Sequence, residues 1–359
     1  MPKTTKSKKQ LIAENEALRL RLEEAKEALT AVEHSYRTLV ANMRDGGLTL
    51  TADGVILFAN GRFAEMLKTP LHELIGAPIT AWMPPDSQEI LAVMLNGGNP
   101  KRGEELSFAA SDGTTVPVYL SIERLAVADS PNHFCLVATD LTERKRTEQI
   151  MAARLRLLQF AATHPLKELL QSTLDELEIL TGSRIGFYHF LDADQETLLL
   201  QTWSTRTLQE ICQAEGDGLH YDISEAGVWV DCIRERRPVI HNDYASLPHR
   251  TSLPEGHAGV TRELVVPVFR SERIVAILGV GNKPENYTQH DVESVSSLAD
   301  LVWDIAELKQ VEENLRQSES LLRLMADNLP AYMAYVSASD LCYRFVNRQY
   351  EVAFQRPRE

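Results

Sequence analysis

The residues best able to do chemistry are concentrated between positions 203 and 291 of this chain. Within that stretch lie Trp203, Cys212, Trp229 and His257, together with further histidines and tyrosines. Aromatic rings, a thiol and imidazoles beside a sheet are side chains from which a small-molecule pocket is built. The same residue types also occur as ordinary core and loop residues, so a purely structural role remains the alternative interpretation.

Two apolar runs at the end of this stretch predict the sheet that would position these residues. Residues 263–269 and 273–281 are rich in Val and Ile, and a polar turn separates them, which is typical of adjacent antiparallel strands. Further strands are predicted at 184–191 and 197–204, and short helices at 208–212 and 227–236. This mixture of strands and helices predicts an α+β domain.

Four motifs of this region, in this order, resemble those of a GAF domain. They are Gly227-Val228-Trp229, the run 236–244 that reads Arg-Arg-Pro-Val-Ile-His-Asn-Asp-Tyr, Pro254-Glu255-Gly256-His257, and Val280-Gly281-Asn282-Lys283. The resemblance is to the subgroup found in microbial multidomain sensors. It implies a GAF domain over residues 156–308.

Haem is one cofactor that the resemblance implies. The subgroup includes haem-binding redox sensors in which a Cys forms a thioether and a His ligates the iron, and Cys212 and His257 occupy the matching positions. Trp203 and Trp229 would rim that pocket, and His257 would be a metal ligand only with haem bound. No Cys-x-x-Cys-His motif is present. An unidentified small ligand and an empty, purely structural domain stay open.

A nucleotide-binding motif is only partly matched. Asn282-Lys283, Tyr287 and Asp291 resemble the Asn-Lys…Phe-x-x-x-Asp-Glu motif of cyclic-nucleotide-binding GAF domains, but Val292 stands where that motif has Glu. Physically, Lys283 and Asp291 are expected to pair and to fasten the last strand to the last helix.

The N-terminal part predicts a coiled coil over residues 11–42, after a basic tail at 1–10. Apolar residues alternate in steps of four and three, which gives the 3.5-residue period of a coiled coil. Asn15 shares the phase of Leu22 and Leu29, and a buried Asn at such a position favours a parallel, in-register homodimer. The alternative is a lone amphipathic helix packed on its own domain.

Residues 43–143 resemble a PAS domain. The motifs are Asp53-Gly54, Phe58-Ala59-Asn60, Glu73-Leu74-Ile75-Gly76 and Asp140-Leu141-Thr142. A hairpin at 47–59 and strands at 105–109, 116–122 and 134–139 predict a five-stranded antiparallel sheet. Asp140 is expected to accept hydrogen bonds from the first amides of the following helix. In the family this motif couples the sheet to a signalling helix.

Helical segments follow each domain. One is predicted over 141–180, with a break near His164-Pro165, and Ile150, Leu157 and Phe160 on it could continue a seam between protomers. Residues 144–155 and 309–323 are interpreted as connecting helices, the second with coiled-coil spacing at the residues 308, 311, 315, 322 and 325.

The C-terminal segment repeats the beginning of the PAS-like region. The same offset, 340 − 53 = 287, relates Asp53 to Asp340, and it also relates Asn60 to Asn347. Residues 324–359 therefore resemble the start of a second PAS domain. A piece of this length buries too little apolar surface to stand alone, so we expect the chain to be cut from a longer protein.

Composition narrows the classes of function. The formal charge of −14 argues against a nucleic-acid binder, which needs a basic face. No apolar run is long enough to span a membrane, and no secretory signal is present. Four scattered cysteines fit the reducing cytoplasm and do not form a zinc motif.

The sequence as a whole predicts an α+β chain of tandem PAS-like and GAF-like antiparallel-sheet domains joined by long coiled-coil signalling helices. No phosphate loop or other catalytic motif is present. We expect a sensory input region that binds a small molecule and passes the signal through a parallel homodimer to a histidine kinase, whose partner would be a response regulator. The alternatives are an input region for a cyclic-dinucleotide enzyme, a transcriptional regulator and a ligand-free dimerisation scaffold.

Overall fold

The computed structural model describes residues 8–96, 103–127, 130–211, 220–222, 227–247 and 259–355. The chain divides into two compact units, Met1–Glu148 and Gln149–Glu359. Each unit is built around an antiparallel sheet, as the sequence predicts.

The first unit opens with a long helix, α1 (Lys8–Ala41). Asn15 on this helix is exposed, and Leu18, Leu22 and Leu39 expose 58%, 55% and 70% of their surface. No described part of the chain covers these leucines, so the helix is not packed along them against its own domain.

The sheet of the first unit has the order β2-β1-β5-β4-β3. Its elements are β1 (Gly46–Thr51), β2 (Ile56–Ala59), α2 (Gly61–Leu67), α3 (Leu71–Leu74), α4 (Pro85–Asn96), β3 (Glu104–Ala109), β4 (Thr115–Val127) and β5 (Ser130–Asp140). Gly54 closes the first hairpin with φ of +79°, a conformation that glycine adopts without strain. Phe63 and Phe108 are fully buried in the core and meet edge to face at 5.5 Å.

The second unit is built on a six-stranded sheet of order β8-β7-β6-β11-β10-β9. Its strands are β6 (Ile185–Leu191), β7 (Thr197–Trp203), β8 (His220–Asp222), β9 (Val239–His241), β10 (Glu263–Arg270) and β11 (Arg273–Gly281). Its helices are α6 (Leu166–Thr181), α7 (Asp231–Arg234), α8 (Gln289–Asn328) and the larger part of α5 (Thr142–Ala161), which begins in the first unit. One face of the sheet packs against α6 and α8.

The predicted helix break is confirmed, because α5 ends at Ala161 and Pro165 stands immediately before α6. The predicted seam along α5 is wrong at Leu157. This residue is fully buried in the core of the second unit, where it packs with Ala153 and the α6 leucines, so it cannot face another protomer. The exposed apolar residues of α5 are instead Met151, Leu155 and Leu158.

The last described segment forms a two-stranded sheet, β12 (Ala334–Val336) and β13 (Tyr343–Val346), followed by α9 (Arg348–Phe354). Its apolar side chains are largely open to solvent: Tyr332, Tyr335, Tyr343 and Phe354 each expose more than half of their surface. The equivalent hairpin and helix of the first unit, by contrast, bury Leu48, Leu50, Ile56 and Phe63.

Candidate functional site

The second face of the six-stranded sheet is lined by aromatic rings and one histidine. Side chains alternate along β6, so Tyr188 and Phe190 pack toward α8, while Phe187, His189 and Leu191 point to the other side. We call this second side the aromatic face. It continues across neighbouring strands through a list of buried apolar residues: Leu198, Val239, Val265, Ile274 and Ile277.

Phe187 is the centre of the aromatic face. Its ring meets Trp203 at 6.0 Å and Trp229 at 5.9 Å, both edge to face. The ring lies across Gly279 on the neighbouring strand, where a Cβ atom would come within 2.1 Å of it. Only glycine therefore allows Phe187 to take this position. The two tryptophans that the sequence singles out thus meet at one shared ring.

His189 stands beside Phe187 and is the polar group of the aromatic face. Its imidazole stacks on Trp229 with ring centroids 4.9 Å apart and an angle of 30° between the planes. Burial lowers the pKa of His189 to about 3, so the ring is neutral at physiological pH. Its Nδ1 atom has no hydrogen-bond partner, although it is buried. Buried polar atoms are paired in most proteins, so this nitrogen calls for an explanation.

Of the predicted site residues, Trp203 and Trp229 fall within the described part of the chain, and Cys212 and His257 lie outside it. The structure adds Phe187 and His189, which no motif indicated. The signal that could have found them is the predicted strand at 184–191, because residues two positions apart, such as Phe187 and His189, lie on the same side of a strand.

Cys232 also lies on the aromatic face, and its thiol is unreactive. It lies in α7, directly after the short 3₁₀ turn Val228–Val230 that carries Trp229. Its thiol is buried, and burial raises its pKa well above the usual range, with Glu263 and Asp231 adding to the effect. A thiol held in its neutral form is a poor nucleophile.

A charged group borders the aromatic face where β9 and β10 meet α7. His241 Nδ1 and Glu263 Oε1 are 2.8 Å apart, and His241 Nε2 lies 3.6 Å from Asp231 Oδ2. Asp231 also accepts a hydrogen bond from Arg234 at 2.8 Å. The bond to Glu263 raises the pKa of His241, which favours its charged form. These contacts fasten α7, and with it the turn of Trp229, to the sheet edge.

Lys283 and Asp291 form the ion pair that the sequence predicts. The Lys283 ammonium donates to both carboxylate oxygens of Asp291 at 2.9 Å. The carboxylate also accepts from the backbone and hydroxyl of Thr288, so that it caps α8. The last strand of the sheet is thereby joined to the start of α8, and this contact is architectural.

In the first unit, two side chains connect the sheet domain to the chain that enters and leaves it. Asn60 Nδ2 donates to the carbonyl of Val40 in the last turn of α1, at 3.0 Å. Arg62 donates to Arg44 O at 3.2 Å and to Asp140 Oδ2 at 3.4 Å. Asp140 in turn accepts from the Thr142 amide at 2.9 Å, which confirms the predicted cap of α5.

No group of three or more His, Cys, Asp and Glu side chains among the described residues could hold a metal ion. Within those same residues, no helix is both long and apolar enough to cross a membrane.

Comparison with known proteins gives two family matches. Residues 35–141 match the PAS fold, and residues 163–307 match the GAF domain. The chain is 31% identical over 310 residues to the methyl sulfide methyltransferase-associated sensor of Methanosarcina acetivorans. That alignment covers 82% of this chain and 30% of the relative, so the chain spans under a third of the relative's length.

Solved structures give weaker similarities. The PAS domain of an HTR-like protein from Haloarcula marismortui is 22% identical, with 33% of this chain and 98% of that chain covered and a TM-score of 0.30. The chromophore-binding domain of the R. palustris bacteriophytochrome RpBphP3 is 15% identical, with coverages of 75% and 95% and a TM-score of 0.35. The GAF domain of a phosphoenolpyruvate-protein phosphotransferase from Coxiella burnetii is 15% identical, with coverages of 46% and 98% and a TM-score of 0.38.

Proposed function

The chain contains a PAS domain followed by a GAF domain, and on this premise we propose that it is the ligand-sensing input region of a cytoplasmic histidine kinase. A small molecule bound by the GAF domain, the PAS domain or both changes the arrangement of the connecting helices. A parallel homodimer then passes the change to the kinase, which phosphorylates a response regulator. The similarity to a protein named as a sensor supports the sensory part of this proposal.

The observation that carries the proposal is the double role of α8. Its first half belongs to the domain core, where Val295, Leu298 and Val302 are fully buried. Its second half presents an apolar stripe at coiled-coil spacing, and each member exposes more than half of its surface: Leu308, Val311, Leu315, Leu322 and Met325. A rigid helix that packs on the sheet at one end can shift a stripe at the other end.

A second copy of the chain is the proposed partner of these stripes. The stripe of α1 has the same spacing, and its described leucines are equally open. A polar Asn at one such position, Asn15, sets the register of a parallel pair, because each Asn bonds its counterpart. Burial of two leucine stripes would stabilise such a dimer by the hydrophobic effect.

The PAS domain contacts the chain at the ends of two helices through the side chain of Arg62. Arg62 contacts the chain just after α1 through Arg44 and the chain just before α5 through Asp140. Any movement of α2, which carries Arg62, therefore alters contacts at both helix ends. Coupling of this kind requires two arrangements of similar free energy.

For the GAF domain we propose a flat ligand on the aromatic face. Haem is one candidate, and Cys212 and His257 are the residues that would hold it, with Trp203 and Trp229 against its plane. When bound, haem would supply a redox-active iron. The described rings around Phe187 fit a flat, apolar partner. Haem supplied during expression should give a Soret band that Cys212→Ala removes; absence of any band would exclude this candidate.

The segment from β12 to α9 supports the proposal that this chain is one part of a longer protein. Its apolar residues are exposed, whereas those of the first PAS domain share one core with buried residues of β3, β4 and β5. We propose that three further strands cover them in the natural protein and that the output domain follows.

The natural full-length protein tests the output. Incubation with labelled ATP should give a phosphoramidate, stable in base and labile in acid, and its amount should change when the ligand-binding face is altered by Trp203→Leu. Absence of histidine phosphorylation would contradict the kinase output. Synthesis of a cyclic dinucleotide, or DNA binding, would then favour the corresponding alternative, and an inactive dimer would favour the scaffold.

A further inference from the structure

We propose that His189 is the polar anchor for the small molecule of the GAF domain, and that the indole of Trp229 covers this imidazole until the ligand replaces it. The inference rests on the proposed function, because it names the contact that the sensed molecule makes. It adds a residue to which no motif of the sequence pointed.

The first argument is the unpaired nitrogen. Three buried side-chain atoms among the described residues lack a hydrogen-bond partner: Tyr188 Oη, His189 Nδ1 and Trp303 Nε1. Tyr188 and Trp303 belong to the side of the sheet that packs against α8. His189 alone lies on the aromatic face, beneath the indole of Trp229. An unpaired buried nitrogen lowers stability, and a bound partner would restore that loss.

The second argument is the state of the imidazole. Burial keeps the ring neutral, so its lone pair stays available throughout the physiological pH range. A neutral imidazole accepts a hydrogen bond from an N–H or O–H group, and it is also a common metal ligand. If a carboxylate or an ammonium group stood in the place of this imidazole, its burial would cost far more free energy.

The indole of Trp229 is also less enclosed than the ring of Phe187. Phe187 is held over Gly279 within the centre of the sheet. Trp229 belongs to the three-residue turn Val228–Val230 at the sheet edge, and its side chain is only half-buried. Val228 and Val230 of this turn are buried, so we propose that the indole alone rotates and opens one face of the imidazole, while the turn and the strands stay in place. The open surface is then walled by Phe187, Trp203 and the displaced indole.

These features define the chemical class of the ligand. The ligand is flat and conjugated, so that it stacks on the aromatic rings of this face. It also carries a group that binds the lone pair of the imidazole nitrogen. That group is either a metal centre or an N–H donor. Ferric haemin and metal-free protoporphyrin IX share the flat ring and differ in the metal, so together they separate the two sources.

The experiment titrates both probes into the whole chain and follows quenching of tryptophan fluorescence and the Soret band. The variants are His189→Phe, Trp229→Leu and, as a control on the opposite face, Tyr188→Phe. We expect His189→Phe to weaken the binding affinity at least tenfold. The Trp229→Leu protein should bind faster than the wild type, and the Tyr188→Phe protein should bind as the wild type does. Weakening with haemin alone assigns a metal centre. Weakening with metal-free protoporphyrin IX alone assigns an N–H donor, because its central N–H groups are absent from haemin. Equal weakening of both probes would reflect only the ring that they share, and it would overturn a polar anchor.

Thermal unfolding separates an anchor from a structural residue. His189→Phe removes the unpaired nitrogen and keeps a ring against Trp229, so its melting temperature should equal or exceed that of the wild type. Unchanged affinity in His189→Phe, a marked fall in its melting temperature, or failure of both probes to bind the Trp229→Leu protein would overturn the proposal. Binding that is independent of His189 would leave the sensory function intact, whereas a chain that neither dimerises nor supports phosphorylation would reject the sensory function itself.

Discussion

Asn347 repeats the hydrogen bonds of Asn60, 347 − 60 = 287 positions later in the chain. Asn60 Oδ1 accepts from the amides of Gly47 and Phe63, and its Nδ2 donates to the carbonyls of Val40 and Asp45. Asn347 makes the corresponding four bonds: it accepts from the amides of Met333 and Tyr350 and donates to the carbonyls of Ala326 and Ala331. Each Asn therefore ties the end of a long helix to a hairpin and to the short helix that follows it.

The first prediction concerns this asparagine. Asn60→Ala removes four hydrogen bonds to buried or partly buried backbone groups, and it should destabilise the first unit by about 3 kcal/mol. Urea unfolding followed through Trp82, the tryptophan of that unit, measures the change. Asn96→Ala is the control: Asn96 is exposed and makes one bond within its own helix, so we expect a change below about 0.5 kcal/mol. Equal effects of the two substitutions would contradict the tie.

The second prediction concerns the ion pair of Lys283 and Asp291. Both side chains are largely buried, so Asp291→Ala leaves an unpaired ammonium and removes one half of the capping box of α8, and it should cost about 3–5 kcal/mol. A double-mutant cycle with Lys283→Met should give a coupling free energy above about 1 kcal/mol. The exposed pair Arg144–Glu148 serves as the control, with an expected coupling of at most about 0.5 kcal/mol. A coupling near zero for the buried pair would show that the two charges act independently.

The third prediction concerns the position of Phe187. Gly279→Ala places a methyl group within the Phe187 ring, and it should destabilise the second unit by about 1–3 kcal/mol and change its tryptophan fluorescence. Gly61→Ala is the matched control, because nothing lies within 4 Å of the added carbon and its φ is not positive. We expect Gly61→Ala to change stability by at most about 0.5 kcal/mol. A Gly279→Ala protein as stable as the wild type would mean that the ring does not lie over this glycine.

The fourth prediction concerns pH. The pKa of His241 is raised, chiefly by its bond to Glu263, so the folded state holds the proton more tightly than the unfolded state. The resulting stability is fully present below about pH 6.5, the usual value for unfolded His, and it is lost as the pH rises through the raised pKa. The melting temperature of the second unit should therefore fall between pH 6 and pH 9.

His241→Gln should flatten this dependence, since the amide keeps a hydrogen bond to Glu263 but does not titrate. His290→Gln, at an exposed helical position, provides the comparison and should preserve the wild-type slope. If the melting temperature of the His241→Gln protein fell with pH as steeply as that of the wild type, the pH dependence would come from other groups.

The architecture was open to prediction from the sequence, because strands, caps and turns depend on local chemistry. The Asp140 cap, the break before Pro165 and the Lys283–Asp291 pair each follow from residue type and short spacing. The aromatic face was harder to predict. Trp203 and Trp229 could be selected from the sequence because tryptophan is a rare residue. His189 could not, because its role depends on the residues that cover it in the folded protein.

Leu157 shows the same limit. Its spacing on α5 fits a seam between protomers and fits a domain core equally well, since both use a helical stripe. The structure decides for the core, where Leu157 is fully buried. Periodicity gives the side of a helix that is apolar, and tertiary packing decides what that side meets.

We propose that two copies associate in parallel through the stripes of α1 and α8, so the protein in solution should have twice the mass of one chain. Light scattering on the protein as it elutes from a size-exclusion column at micromolar concentration measures this mass. One chain has a mass of 40.3 kDa, so we expect 2 × 40.3 = 80.6 kDa. The double substitution Leu18→Glu with Leu315→Glu puts a charge into both stripes. We expect this variant to have the mass of a monomer and to keep the circular dichroism of the sheets unchanged. A wild-type mass of 40.3 kDa under these conditions would show that the stripes do not hold two copies together.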